Sequence, residues 1–87
     1  MEYTLEISGP LDAKFRKMAA RERKRLEIIG RKVGQILANP HHFKPLSGDM
    51  HGTRRVHIDG PFVLTYEIDE PGKTVRLLDF DHHDKIY

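Results

Sequence analysis

The side chains of this 87-residue chain that could act on a phosphodiester gather in one stretch, Lys44 to Tyr87, which holds four of the six histidines. In the run Thr53-Arg54-Arg55-Val56-His57-Ile58, strand alternation puts Val56 and Ile58 on one face and Arg55 with His57 on the other. A permanent cation and a titratable imidazole then share a surface. A second pair, His82-His83, comes at the end of the last strand-like run, and Tyr87 brings an aromatic hydroxyl four residues after His83. Metal-free RNA cleavage needs a base for the ribose 2′-hydroxyl, an acid for the leaving 5′-oxygen and a cation over the phosphorane. Histidine, with an ordinary pKa of about 6.5, fills either of the first two roles at neutral pH, and arginine's planar fork suits the third.

Two blander readings stand beside this one. A lone histidine is commonly an exposed or locally bonded side chain, and His41, His42, His51 and His82 suit that description. A metal site is the other use of many histidines and aspartates. No two histidines here have a recognised ligand spacing, and adjacent ones point to opposite faces of a strand, so neither a metal nor a cofactor is expected.

The elements that must position these groups follow from the rest of the pattern. The length sets one domain, residues 1–87, because a chain this short cannot hold two hydrophobic cores. Tyr3, Leu5 and Ile7 alternate with charged or hydroxyl residues, which predicts a half-buried strand over 2–7. Ser8-Gly9-Pro10 ends it, and Pro10 followed by Asp12 predicts a helix start. Leu11, Phe15, Met18, Leu26, Ile29, Val33, Ile36 and Leu37 form a helical stripe, interrupted only where Arg21-Glu22-Arg23-Lys24-Arg25 offers nothing apolar. One continuous helix would be roughly 40 Å long, too long for a domain about 30 Å across, so a tight turn in that interruption and two antiparallel helices are predicted. Asn39-Pro40 ends the second. Residues 41–52 read as a loop, followed by strands over 53–58, 62–68 and 73–81. Asp59-Gly60 predicts a two-residue hairpin turn and Glu70-Pro71-Gly72-Lys73 a type II turn. The outcome is an α+β domain in the order β-α-α-β-β-β, two helices on one face of a four-stranded, mainly antiparallel sheet. How the first strand joins the meander is left open.

Charge is unevenly placed although the net value is only +2. Residues 14–32 carry nine basic groups against Glu22 and Glu27, while residues from Asp59 onward carry seven acids against three bases. Such a helical surface attracts polyphosphate, and the same charges also suit a solvated helix face. The chain has no cysteine, no signal-like segment and no apolar run near membrane length, which leads to the expectation of a soluble cytoplasmic protein with no membrane partner.

With these residues in view, the chain resembles the RelE/ParE superfamily of toxins from toxin–antitoxin pairs, nearest to its YafQ-like and RelE-like ribosome-dependent mRNA endonucleases. The resemblance rests on the order of elements, the Lys44-Pro45-Leu46-Ser47-Gly48 entry to the second strand, Arg55-Val56-His57, Leu64-Thr65-Tyr66 and His83-x-x-x-Tyr87. It implies a microbial-ribonuclease-like toxin that enters the ribosomal A site, cleaves mRNA there and is neutralised by a cognate antitoxin. By the same resemblance His83 is the catalytic histidine, His57 its counterpart or a substrate-positioning group, and Tyr87 an aromatic that stacks on or orients the RNA. Lys44 stands where relatives have a histidine or glutamate that serves as a possible base and Arg55 where some have a lysine; as cations, both are expected to be phosphate ligands here. Val63 stands where many relatives have an arginine, so further phosphate stabilisation is expected from Arg54 or Arg76. Asp79 and Asp81 also depart from the pattern, and beside His83 they would either repel a phosphate or hold the imidazole in one tautomer. The ParE branch shares the fold but poisons DNA gyrase without the catalytic histidines, and it supplies the alternative function.

Overall fold

Strand alternation and the helical stripe meet in a single core. In a computed structural model, which describes residues 3–45 and 52–86, the chain runs β1 (Thr4–Ile7), α1 (Gly9–Arg21), α2 (Arg23–Ala38), β2 (Thr53–Ile58), β3 (Phe62–Asp69), β4 (Thr74–His82) and α3 (His83–Ile86). The expected α+β arrangement is present, with α3 as an added turn. Strand order is β1-β4-β3-β2. The last three strands form the antiparallel meander, and β1 joins it parallel to β4, with Leu5 opposite Val75 and Ile7 opposite Leu77. Nothing local in a sequence encodes such a pairing, because a parallel partner is always remote in the chain.

Ser8 caps α1, its Oγ accepting from the Leu11 N–H at 3.4 Å, and Asp12 lies in the first turn. The helical path breaks at one residue, Glu22, with φ −129° and ψ 48°. This is where the apolar stripe fails, so no burial holds the backbone helical there. After the break α2 returns, and the Leu37 carbonyl accepts the Tyr3 N–H at the start of β1. The longest dimension is 36 Å, less than an unbroken helix would need. Arg25 ties the helical tip to the β2–β3 connection: it pairs with Glu22 and Asp59, and its guanidinium lies 4.2 Å above the Phe62 ring.

Leu11, Met18, Ile29 and Ile36 from the helices close on Val56, Ile58, Leu64, Tyr66, Val75, Leu77 and Phe80 from the sheet. Burial of each large aliphatic member is worth about 1.5–3 kcal/mol. The turns differ in how they meet expectation. Asp59 and Gly60 both take positive φ, 44° and 80°, but Ile58 pairs with Phe62, so the hairpin connection spans residues 59–61 and not the two residues expected. At residues 70–73 the Lys73 N–H donates to Glu70 O, yet the positive φ falls on Lys73 (49°) and not on Gly72. The type II turn is therefore not adopted. Asp69 accepts from the Gly72 N–H and crowds the space where a side chain at Gly72 would stand, while Lys73 carries the left-handed turn and bonds Glu70 through its amine at 3.0 Å.

The described part of the segment after α2 is held at several points. The buried Tyr66 hydroxyl donates to Pro40 O at 2.6 Å, Arg54 Nη1 donates to Phe43 O at 2.6 Å, and the Arg55 N–H donates to Lys44 O at 3.0 Å. His41 Nε2 meets Glu70 Oε2 at 2.5 Å. Glu70 also accepts from the Tyr3 hydroxyl at 2.7 Å and from Lys73. Those donors, Tyr3 first, then Lys73 and His41, hold its carboxyl down to about 2. Burial pushes the Tyr66 hydroxyl up to about 12, against a smaller opposing pull from Arg54, so it remains a donor.

Two outcomes are expected. Tyr66→Phe keeps the ring but leaves the Pro40 carbonyl unpaired, so urea unfolding should show a loss of about 1–3 kcal/mol; a loss below about 0.5 kcal/mol would mean that the bond contributes little. For Glu70 the folded value lies below the ordinary 4.5, so its stabilisation is fully present above that value and is lost as pH falls through about 2. The melting temperature of Glu70→Gln should trail the parent most at neutral pH and converge on it near pH 2. A gap that stays constant across that range would place the stabilisation elsewhere.

Candidate functional site

β2 is an edge strand, and its alternation decides what faces out. Val56 and Ile58 are buried under the helices, whereas Arg55 is half-buried and His57 exposed on the opposite face. Beside them runs the anchored segment after α2, where Pro45 bridges to Arg54. The result is an open cleft of about 320 Å³ lined by His42, Phe43, Lys44, Arg55, Val56 and His57. Lys44, Arg55 and His57 are thus brought together. His42 and Phe43 join them, ring edge to ring face at 5.0 Å. Sequence reasoning missed this pair, because only the tertiary bonds to Pro40, Phe43 and Lys44 bring the segment against β2.

The second histidine cluster lies across β3. His57 is opposite Val63, which is opposite Asp81 on β4, so the strands bearing the two clusters are separated by two strand spacings, roughly 10 Å. His83 does not end β4 but opens α3, its N–H donating to Pro61 O at 2.7 Å. Its Nδ1 is 3.2 Å from Asp84 Oδ1. His82 Nδ1 accepts from the Asp84 N–H, and its ring stands edge-on to Phe62, which stacks on Phe80. Tyr87 and residues 46–51, including Leu46-Ser47-Gly48 of the entry motif, lie outside the described residues.

Other expected groups go elsewhere. Arg54 turns to the core side of β2 and bonds the carbonyls of Phe43 and His41. Arg76 is held between Glu6 and Glu67 in one row across β1, β4 and β3, with contacts of 3.0 and 2.6 Å. Two carboxylates on one guanidinium leave little charge for a phosphate. Asp79 and Asp81 do not turn to His83 either. Asp79 Oδ1 accepts from the Phe80 N–H and Asp81 Oδ1 from the His82 N–H, and both carboxylates face Lys14 of α1. The His82 N–H bond is the main cause holding the Asp81 carboxyl below its ordinary value, with Lys14 and Lys85 adding to it. Among the described residues the carboxylate that meets His83 is that of Asp84. Among the described residues no three His, Cys, Asp or Glu side chains converge as a metal site, and no helix is long and apolar enough to cross a membrane.

Comparison with known proteins agrees with this architecture. Residues 5–87 match the family model described as the ParE toxin of the type II toxin–antitoxin system parDE. The chain is 52% identical over 98% of its length to an uncharacterized protein of Methanosarcina mazei, covering 99% of that relative. A Methanocaldococcus jannaschii protein provisionally named toxin RelE4 is 46% identical over 98% of this chain and 90% of its own. The structure of the RelBE2 toxin–antitoxin complex from Mycobacterium tuberculosis superimposes with a TM-score of 0.77 at 25% identity, over 94% of this chain and 99% of that one. The chain therefore belongs to the ParE toxin family of type II toxin–antitoxin systems, within the RelE/ParE superfamily.

Proposed function

We propose that this toxin is a ribosome-dependent endoribonuclease that cleaves mRNA in the A site, and that a cognate antitoxin neutralises it. The observation that carries the reading is the cleft in which Lys44, Arg55 and His57 share one face. It offers two cations and an imidazole to a polymer lying along the outside of β2. In the proposed reaction a neutral imidazole takes the proton of the ribose 2′-hydroxyl, and the 2′-oxygen attacks phosphorus. The P–O5′ bond breaks, and a protonated imidazole donates to the leaving 5′-oxygen. The products are a 2′,3′-cyclic phosphate and a 5′-hydroxyl. His57 and His83 form the acid–base pair, Arg55 and Lys44 stabilise the phosphorane, and Tyr87 stacks on or shares a proton with the RNA. The Asp84 carboxylate beside His83 Nδ1 suits a role in fixing that ring. The exposed basic helices suit an acidic or amphipathic antitoxin segment that folds as it binds.

The ParE description of the matched family favours a second reading, a non-nucleolytic toxin that binds and poisons DNA gyrase. Cell-free translation followed by primer extension separates the two. Breaks in A-site codons support the nuclease, whereas intact mRNA with inhibited supercoiling supports the gyrase binder.

Arg55→Ala should weaken RNA binding at unchanged melting temperature, since the side chain leaves β2 on the face away from Val56 and Ile58. Unfolding would make it a structural residue. His83→Ala should cut cleavage by about 10²- to 10⁴-fold while antitoxin binding persists. Cleavage should survive EDTA when ribosome integrity is controlled separately. A 3′-hydroxyl product, or activity restored only by zinc or manganese, would overturn the mechanism.

A further inference from the structure

β1 stops pairing with β4 at Leu77, so among the described residues the remainder of β4, which leads to His82 and His83, has no strand on its outer side. Side chains close that edge. Ser8 Oγ donates to Leu78 O at 3.0 Å and Lys14 Nζ donates to Phe80 O at 2.7 Å. On the donor side, the Phe80 and His82 N–H groups are taken by the carboxylates of the residues before them, Asp79 and Asp81. Lys14 lies between those carboxylates, 3.3 Å from Asp79 Oδ1 and 3.6 Å from Asp81 Oδ2.

The register shows what this arrangement prevents. Asp81 shares a cross-strand row with His57 through Val63, and Asp79 is opposite Thr65, whose other neighbour is Arg55. Both aspartates therefore leave the sheet on the face that carries Arg55 and His57. Two free carboxylates there would oppose a phosphate bound between the histidine clusters.

We propose that Lys14 is a positioning residue of the RNA-binding face: from α1 it draws the Asp79 and Asp81 carboxylates to the β4 edge and neutralises them, leaving the face to Arg55 and Lys44. The proposal rests on the nuclease reading above. It gives α1 a part in substrate binding without contact between Lys14 and RNA.

The test measures affinity of the purified chain for a single-stranded oligoribonucleotide whose 2′-hydroxyls are replaced by hydrogen, so that it cannot be cleaved, by fluorescence anisotropy at two salt concentrations. Lys14→Met should weaken binding about five- to tenfold at low salt, the effect of two carboxylates near a phosphate in a mostly aqueous setting, and less at high salt. Lys14→Arg should retain parental affinity. The triple variant Lys14→Met/Asp79→Asn/Asp81→Asn should recover to within about twofold of the parent, because no carboxylate remains to be held away. A triple variant as weak as Lys14→Met overturns the proposal and makes Lys14 a direct phosphate ligand; unchanged affinity in a folded Lys14→Met overturns it too. If Lys14→Met does not fold, Asp79→Asn/Asp81→Asn alone decides. It should bind like the parent, and a gain of fivefold or more would show that the carboxylates repel RNA despite Lys14. A parent chain that cleaves no mRNA on the ribosome overturns the nuclease reading and this proposal with it, whereas one that cleaves there but has no affinity for the oligonucleotide, or shows the wrong variant pattern, overturns this proposal alone.

Discussion

The two-residue period of one edge strand is the constraint on which the rest depends. In β2 the even positions Val56 and Ile58 are drawn under the helices because Leu11, Ile29 and Ile36 wait there to be covered, and this leaves Arg55 and His57 no choice but the outer face. A shift of β2 by one residue against β3 would bury a guanidinium and an imidazole and expose two branched aliphatics. That cost, several kcal/mol for unpaired polar groups alone, fixes the register more firmly than any single ladder bond. The site's orientation is thus a by-product of core formation.

The same logic extends to the segment that forms the other wall of the cleft. It follows a helix stopped by Asn39-Pro40, and its described residues, 39–45, form no helix and no extended strand, so its position depends on bonds from the sheet. Tyr66 and Arg54 reach it from the core side, Glu70 from the β3–β4 turn, and the Arg55 N–H from the strand edge. Arg55 has a double part: its backbone places Lys44 while its side chain lines the same cleft. Arg54, adjacent in sequence but on the opposite face, serves the structure and not the cleft. Identical residue types one position apart are separated in role by the pleat alone.

This explains how much could be read from sequence. The meander, the two helices and the break between them were legible because each is written in local periodicity: Met18 to Leu26 lacks apolar residues, and the chain turns at Glu22 within that gap. The pairing of His57 with Arg55 was legible for the same reason. What could not be read depends on contacts between distant residues. The parallel place of β1, the anchoring of His41 by Glu70 and the reach of Lys14 to Asp79 and Asp81, 65 residues away in the first case, leave no local trace. Arg76 was expected to make up for the arginine replaced by Val63, yet two strands bring Glu6 and Glu67 to it. Gly72 looked like the left-handed residue of a type II turn, but the positive φ falls on Lys73, and the glycine serves instead to leave room for Asp69, which occupies the space a side chain there would fill.

Three of the groups proposed for chemistry lie at the margins of regular structure: Lys44 on an irregular segment, His57 near the end of an edge strand and His83 on a one-turn helix. RNA is an extended, charged polymer, and a site that accepts it must be open along its length. That excludes deep burial as the means of orienting side chains. A shallow site has to borrow rigidity from what lies beneath, and here the layer beneath is continuous. Val63 lies fully buried between the rows of His57 and Asp81, and Phe62 and Phe80 stack below His82, with Arg25 of α2 over Phe62. Both histidine clusters are thereby referred to the same central strand, β3. The strands that lead to them are set apart by hydrogen-bonded strand spacing, which is among the least variable distances in a protein.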